Sequence, residues 1–153
     1  LILPALNRFT QYGLIKYGQI NTSVAAQIKS LRVKTPSQHA FVAKLSGGNQ
    51  QKIVIAKWLL SGAQLFLFDE PTQGIDVGAK EEIYGIIGNL ASLGKSIIVA
   101  SSELGELMRL CNRIFVMYDG CLLQEFHTES TPQEQILQCA ISGRKGMAGN
   151  GSY

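Results

Sequence analysis

Two short apolar runs, each ending in polar residues and separated by one long amphipathic segment, constrain this chain most. Leu65–Phe68 leads into Asp69-Glu70-Pro71-Thr72, and Ile97–Ala100 leads into Ser101-Ser102. Each run is apolar at every position, not at alternate ones, which suits a strand buried on both faces of a sheet. Between them, residues 76–93 place Ile83, Ile86, Ile87 and Leu90 on one helical face, and Gly94 is positioned to end that helix. Strand, helix and strand in this order predict a parallel sheet covered on both sides, and the fold class expected is α/β. Sheets of this kind take ligands beyond the carboxyl ends of their strands. Asp69-Glu70 and Ser101-Ser102 both fall at such ends.

The remainder divides around this pattern. Residues 1–62 read as helical, with loops at Gly13, Gly18 and Thr35-Pro36-Ser37. Asn21 or Thr22 can cap a helix carrying Val24, Ile28 and Leu31, and Asn49 to Leu60 reads as a second helix entered at Ser46. After the two apolar runs come a helix over 103–110 and strands over 113–118 and 121–126, joined at the tight-turn pair Asp119-Gly120. Pro132 opens a last helix expected to end near Ile141, and the glycine-rich stretch 142–153 is expected to be a flexible tail. The expected organisation is therefore a helical part, 1–62, a sheet-bearing core, 63–141, and the tail. Gly85 and Gly88 sit inside the long helix at a cost of about 1 kcal/mol each relative to Ala. Close packing against the sheet would justify them.

Composition narrows the function. Of 153 residues, 46% are hydrophobic and 16% charged, which suits a packed domain and not a disordered chain. The net charge is only +3 and the densest basic pair is Arg144-Lys145, so no nucleic-acid partner is expected. The apolar runs are far shorter than the ~20 residues of a spanning helix; contact with a membrane would need a partner protein. Cys111, Cys121 and Cys139 are too widely spaced for a ligand pair and read as reduced cytosolic thiols. His39 and His127 are isolated and are not read as ligands. The chain begins at Leu1 in what reads as the middle of a domain, and a fragment is expected.

The chemistry concentrates in two segments. Leu45-Ser46-Gly47-Gly48-Asn49-Gln50-Gln51-Lys52 joins a good N-cap, Ser46, to two residues without side chains and then to a helix. The amides and dipole at such a helix start favour an anion, for instance a terminal phosphate. Ser-Gly-Gly alone also suits an ordinary capped helix. Asp69 ends a buried-type strand, where its carboxylate can hold Mg²⁺ through water, and Glu70 can orient and deprotonate an attacking water. An isolated Asp-Glu-Pro is usually a solvated turn; four apolar residues before it and Thr72 after it argue against that here. Asp76 fits the N-cap of the following helix.

In this order and spacing the two segments resemble the signature motif and Walker B of ATP-binding cassette (ABC) ATPases, and Gln73-Gly74-Ile75-Asp76 resembles the D-loop. The wording from Leu45 to Lys52, with Gln-Gly-Ile-Asp-Val-Gly-Ala-Lys over 73–80, is most similar to ATPases of bacterial ribose, galactose and xylose importers. In those, two cassettes share one chain, and this segment resembles the later part of the second. The resemblance implies a partial P-loop NTPase-like parallel core with a helical subdomain, and ATP and Mg²⁺ as cofactors. It implies that Ser46, Gly47, Gly48 and Gln50 meet ATP held by the opposite cassette. Asp69 would serve Mg²⁺, Glu70 the water, and Asp76 would cross the interface between cassettes. The implied partners are a second cassette, membrane permease subunits docking in part on residues 1–44 and, indirectly, a periplasmic sugar-binding protein. The implied location is the cytoplasmic face of the cell membrane.

Two departures from the family pattern stand out. Many ABC ATPases carry a γ-phosphate-sensing histidine after the strand that follows the D-loop helix; Ser102 occupies that position here. No G-x-x-x-x-G-K-[ST] phosphate loop occurs in these 153 residues. The 153 residues by themselves are therefore expected not to hydrolyse ATP, and a magnesium-dependent ATPase rate in the purified chain would contradict that. Two other functions fit the same motifs: an ABC ATPase of translation or DNA repair with no permease, and a truncated, non-catalytic product. A neighbouring gene for a multi-span permease or a periplasmic sugar-binding protein separates the importer from the first, and sequence upstream of Leu1 tests the second.

Overall fold

The computed structural model describes residues 1–148, with side chains through Gly143. The described chain forms two compact units, Leu1–Ile98 and the residues from Val99 onward. Residue 62, the expected end of the helical part, lies inside the first unit.

The first unit opens with a 3₁₀ helix, Leu3–Phe9, and a small antiparallel hairpin of β1, Thr10–Gln11, and β2, Leu14–Ile15. Tyr12 and Gly13 make its turn, both with positive φ. This hairpin stands where the sequence suggested only a loop. Helix α1 spans Tyr17–Ser30. It starts ahead of Asn21 and Thr22, with Lys16 at the N-cap and no side-chain cap. The apolar stripe extends one turn toward the N-terminus, through Ile20, and this turn packs against Ala5, Phe9 and Leu60. The Thr22 hydroxyl donates to the Gly18 carbonyl within the helix instead of capping it. Helix α2, Gly47–Ser61, ends at Gly62, whose φ of 80° is the left-handed cap that glycine favours. The Arg8 guanidinium donates to the Leu60 carbonyl there at 2.8 Å, closing the amino-terminal segment onto the end of α2.

Strand β3, Leu65–Asp69, and strand β4, Ser96–Ala100, pair in a two-stranded sheet, with helix α3, Val77–Ser92, between them. The Ser96 N–H donates to the Gln64 carbonyl, so the strands start side by side and run in the same direction, as the crossover helix requires. The expected cover on both faces is not seen among the described residues. Phe66 and Phe68 are buried, whereas Leu65 is 50% and Leu67 72% exposed. All-apolar sequence thus appears as an alternating strand, with Leu65 and Leu67 left largely exposed. Ile83, Ile87 and Leu90 of α3 are buried as the pattern predicts. Gly94, with φ of 77°, follows the helix. Gly85 and Gly88 have open space where a Cβ would stand, so close packing among the described residues does not explain them.

The second unit holds α4, Leu104–Leu110, the antiparallel strands β5, Arg113–Tyr118, and β6, Cys121–His127, and α5, Gln133–Ala148. Asp119 and Gly120 turn the hairpin with positive φ at both positions, as such a pair does in a two-residue loop. Ile114, Val116, Phe126 and Ile136 form its core, with Leu104, Leu107 and Met108 packed around them. Helix α5 runs past Ile141, so residues 142–148 of the expected tail are helical. Gly143 helps explain why the helix continues: a Cβ there would stand 2.2 Å from Leu123 Cδ1, so the missing side chain lets the helix lie on β6. The rest of the expected tail, 149–153, lies outside the described residues.

Candidate functional site

Four sequence-predicted positions meet in the first unit. Ser46 stands at the N-cap of α2 with extended backbone, where the sequence places it. Its hydroxyl does not cap a backbone N–H; it accepts from the Asn49 side-chain amide at 2.8 Å. Asn49 Oδ1 in turn accepts from the Lys34 N–H at 2.7 Å, so the loop after α1 is pinned to the start of α2. The Gln50 side chain turns back to donate to the Leu45 carbonyl at 2.8 Å. Side chains therefore stiffen the loop from outside, while the first-turn amides of α2 are left without a side-chain cap.

The two glycines face another part of the same unit. A Cβ on Gly48 would stand 2.5 Å from the Ala79 Cβ, and one on Gly47 would stand 3.2 Å from Ile75 Cγ2. The start of α2 thus lies against the turn that precedes α3 and against the first turn of α3. Asp76 is the N-cap of α3, and its Oδ1 accepts from the Ala79 N–H at 2.9 Å. Ser46, Gly47, Gly48 and Asp76 are brought into one neighbourhood. Sequence reasoning assigned Gly47 and Gly48 to ligand approach alone; the structure adds a packing demand within the chain.

Asp69 and Glu70 stand at the end of β3, Asp69 exposed and Glu70 half-buried. Glu70 has φ of 44°, in the left-handed region where non-glycine residues are uncommon. Pro71 and Thr72, which follow it, are fully buried and anchor the turn on its carboxyl side. The Glu70 carbonyl accepts from the Gln73 N–H at 3.2 Å, and Gly74, with φ of 72°, passes the chain on to Asp76. A backbone held in this region at a cost of about 1–3 kcal/mol is characteristic of functional turns. Among the described residues no group of three or more His, Cys, Asp or Glu side chains could cage a metal ion. A single exposed carboxylate at a strand end nevertheless fits Mg²⁺, which keeps most of its waters and takes its remaining oxygens from phosphate.

Ser102 belongs to the second unit. It follows β4 and is exposed, and the neighbouring Ser101 hydroxyl accepts from the Glu103 N–H at 3.1 Å.

One further cluster was not singled out from sequence. Lys52, on α2, is buried, and its ammonium donates to the Arg32 carbonyl at 3.1 Å and to the Glu82 carboxylate on α3. The hydrogen bond and charge of Lys52, with the more distant Lys34 and Arg32, hold the Glu82 carboxyl below its ordinary range. A signal was present: Lys52, Ile55, Ala56 and Leu60 share one helical stripe, and a lysine on a buried stripe calls for a partner.

This arrangement of sheet, crossover helix and glycine-led helix is shared with solved ABC transporter structures. An inward-facing metal-chelate type ABC transporter superimposes with a TM-score of 0.76 at 17% identity, over 92% of this chain and 56% of that one. A dimeric bacterial ABC transporter cassette gives 0.66 at 22% identity, over 81% of this chain and 53% of that one. Residues 6–73 match the family described as ABC transporter.

Its sequence relatives are narrower in kind. It is 46% identical over 143 residues to the xylose import ATP-binding protein XylG of Geobacillus kaustophilus, covering 93% of this chain and 28% of the relative. It is 50% identical over 128 residues to the galactose/methyl galactoside import ATP-binding protein MglA of Clostridium perfringens, covering 84% and 25%. It is 43% identical over 144 residues to the ribose import ATP-binding protein RbsA of Bacillus subtilis, covering 94% and 29%. The chain thus spans between a quarter and a third of the length of these relatives.

Proposed function

We propose that this chain is part of the ATP-hydrolysing subunit of an ABC importer for monosaccharides. The observation that carries the reading is identity of 42–50%, over most of the chain, to proteins named for xylose, galactose and ribose import. Within it, residues 1–62 serve as the helical subdomain and 63–141 as part of the ATPase core. The uncapped first turn of α2, with Ser46, Gly47 and Gly48, offers N–H groups to the γ-phosphate of ATP held by a second cassette. Gln50 serves this contact by fixing Leu45 at the loop's entry. Asp76 faces the second cassette from the adjoining turn.

At this chain's own strand end, Asp69 holds Mg²⁺ through water. The ion, when bound, neutralises phosphate charge. Glu70 takes the proton of the attacking water, and its constrained backbone fixes where that carboxylate stands. Ser102 occupies the position that follows the switch strand. Among the described residues no helix is long and apolar enough to cross a membrane. Coupling to transport then runs through docking on permease subunits at the cytoplasmic face, with a periplasmic binding protein acting through them.

The test is ATP turnover by the full-length protein with its membrane subunits. Glu70→Gln should retain ATP binding and lose turnover. Unchanged turnover with Glu70→Gln would refute the assignment of the base, and ATPase activity indifferent to every monosaccharide-loaded binding protein would refute the importer.

A further inference from the structure

We infer that Lys52 and Glu82 form a latch fixing the register of α2 against α3, and thereby act as positioning residues that couple the Ser46–Gly48 loop to the Asp76 turn; this rests on the ATPase reading above. The contacts lie along one seam. Gly48 and Lys52 are four residues apart on α2, and Ala79 and Glu82 are three apart on α3, so each pair shares a helix face. Gly48 meets Ala79 at the top of the seam, and Lys52 meets Glu82 one turn below. Above both, Gly47 abuts Ile75, next to the Asp76 cap.

The chemistry of the lower contact is specific. The Lys52 side chain is 3% exposed and that of Glu82 49%. A buried ammonium must be paired, and apolar residues of similar volume would often hold two helices as well or better. An apolar seam tolerates sliding, however, whereas Lys52 has two directional acceptors, the Glu82 carboxylate and the Arg32 carbonyl. One side chain therefore ties α2, α3 and the segment after α1 together. In the reading above, the loop and the Asp76 turn serve the contact between cassettes. A small slip along the seam moves both, and misplacement of about 1 Å at a reacting centre costs up to roughly a hundredfold in rate.

The experiment uses the full-length protein with its membrane subunits, measuring kcat and KM for MgATP alongside the melting temperature. Glu82→Gln and Lys52→Met should each lower kcat by roughly tenfold or more with KM unchanged. The double variant should be no slower than the slower single one, because the pair acts as a unit, and Lys52→Arg should restore most of the rate. Glu82→Gln, at a half-exposed position, keeps the test open where Lys52→Met fails to fold. Variants that melt earlier but keep the wild-type kcat per folded molecule would overturn the latch, as would losses that multiply in the double variant. A wild-type protein without magnesium-dependent ATPase would overturn the function and the latch together; an active wild type with unaffected variants would overturn the latch alone.

Discussion

Replacing Gly48 by Ala tests whether packing inside the chain, and not only ligand approach, requires a glycine there. The added Cβ would stand 2.5 Å from the Ala79 Cβ and 3.7 Å from the Ala79 Cα. Carbon atoms pack at about 3.5–4.0 Å, so the first distance is short by roughly 1 Å and the second is ordinary. Neither partner can rotate aside, since a methyl has no rotamer and both residues lie on helices. The helices must part, and the Lys52–Glu82 pair one turn below opposes that. Overpacking of this kind costs about 1–3 kcal/mol. The 2.5 Å approach puts the clash at the upper end of that range; the better helix propensity of Ala returns up to about 1 kcal/mol, leaving a net loss of about 2 kcal/mol. Urea denaturation followed by the fluorescence of Trp58, which lies on α2, would show it as a lower midpoint with an unchanged slope. Adding Ala79→Gly removes the clashing atom, so the double variant should be more stable than Gly48→Ala alone. Gly47→Ala should cost less, because the Ile75 side chain at 3.2 Å can give way. A Gly48→Ala midpoint equal to wild type, or no recovery in the double variant, would refute the packing argument.

Asp76→Ala should destabilise the protein by about 1 kcal/mol through loss of the α3 cap, while Asp76→Asn should keep the cap; if Asp76 also serves the neighbouring cassette, Asn will keep the melting temperature and lose ATP turnover. Gly85→Ala and Gly88→Ala should each stabilise by up to about 1 kcal/mol in denaturation, since open space surrounds both positions in the described chain. Lys52, with the charges of Lys34 and Arg32, lowers the Glu82 pKa on folding. Its stabilisation is therefore complete above the ordinary carboxylate range and is lost as pH falls through the lowered value. Glu82→Gln should flatten that acid limb of the stability–pH curve, and an unaltered limb would contradict the assignment.

What could be read in advance depended on whether the information was local. Strand β3, the stripe of Ile83, Ile87 and Leu90, the Asp119-Gly120 turn and the cap at Asp76 are each specified by a few consecutive residues, and each appears where expected. The start of α1 did not, because Ile20 is drawn into the helix by a core formed with Ala5, Phe9 and Leu60, distant in sequence. The motif around Ser46 was legible as a helix start, but not the exchange by which Asn49 takes the serine hydroxyl. The second role of Gly48 was hidden because it depends on Ala79, thirty-one positions away by number. Glu70 was legible as an acid after a strand; its left-handed backbone was not, since nothing in Asp-Glu-Pro-Thr calls for positive φ.

The half-covered strand β3 also governs how this polypeptide behaves in a test tube. Leu65-Phe66-Leu67-Phe68 is an uncharged, β-prone window with no proline, and Leu65 and Leu67 face outward beside the exposed Val54 and Trp58 of α2. Such a window invites self-association when solvent reaches it. Produced as these 153 residues alone, the protein should be poorly soluble and should bind hydrophobic dyes. A single charge at Leu67 should improve its recovery from cells while leaving Phe66 and Phe68 in their core.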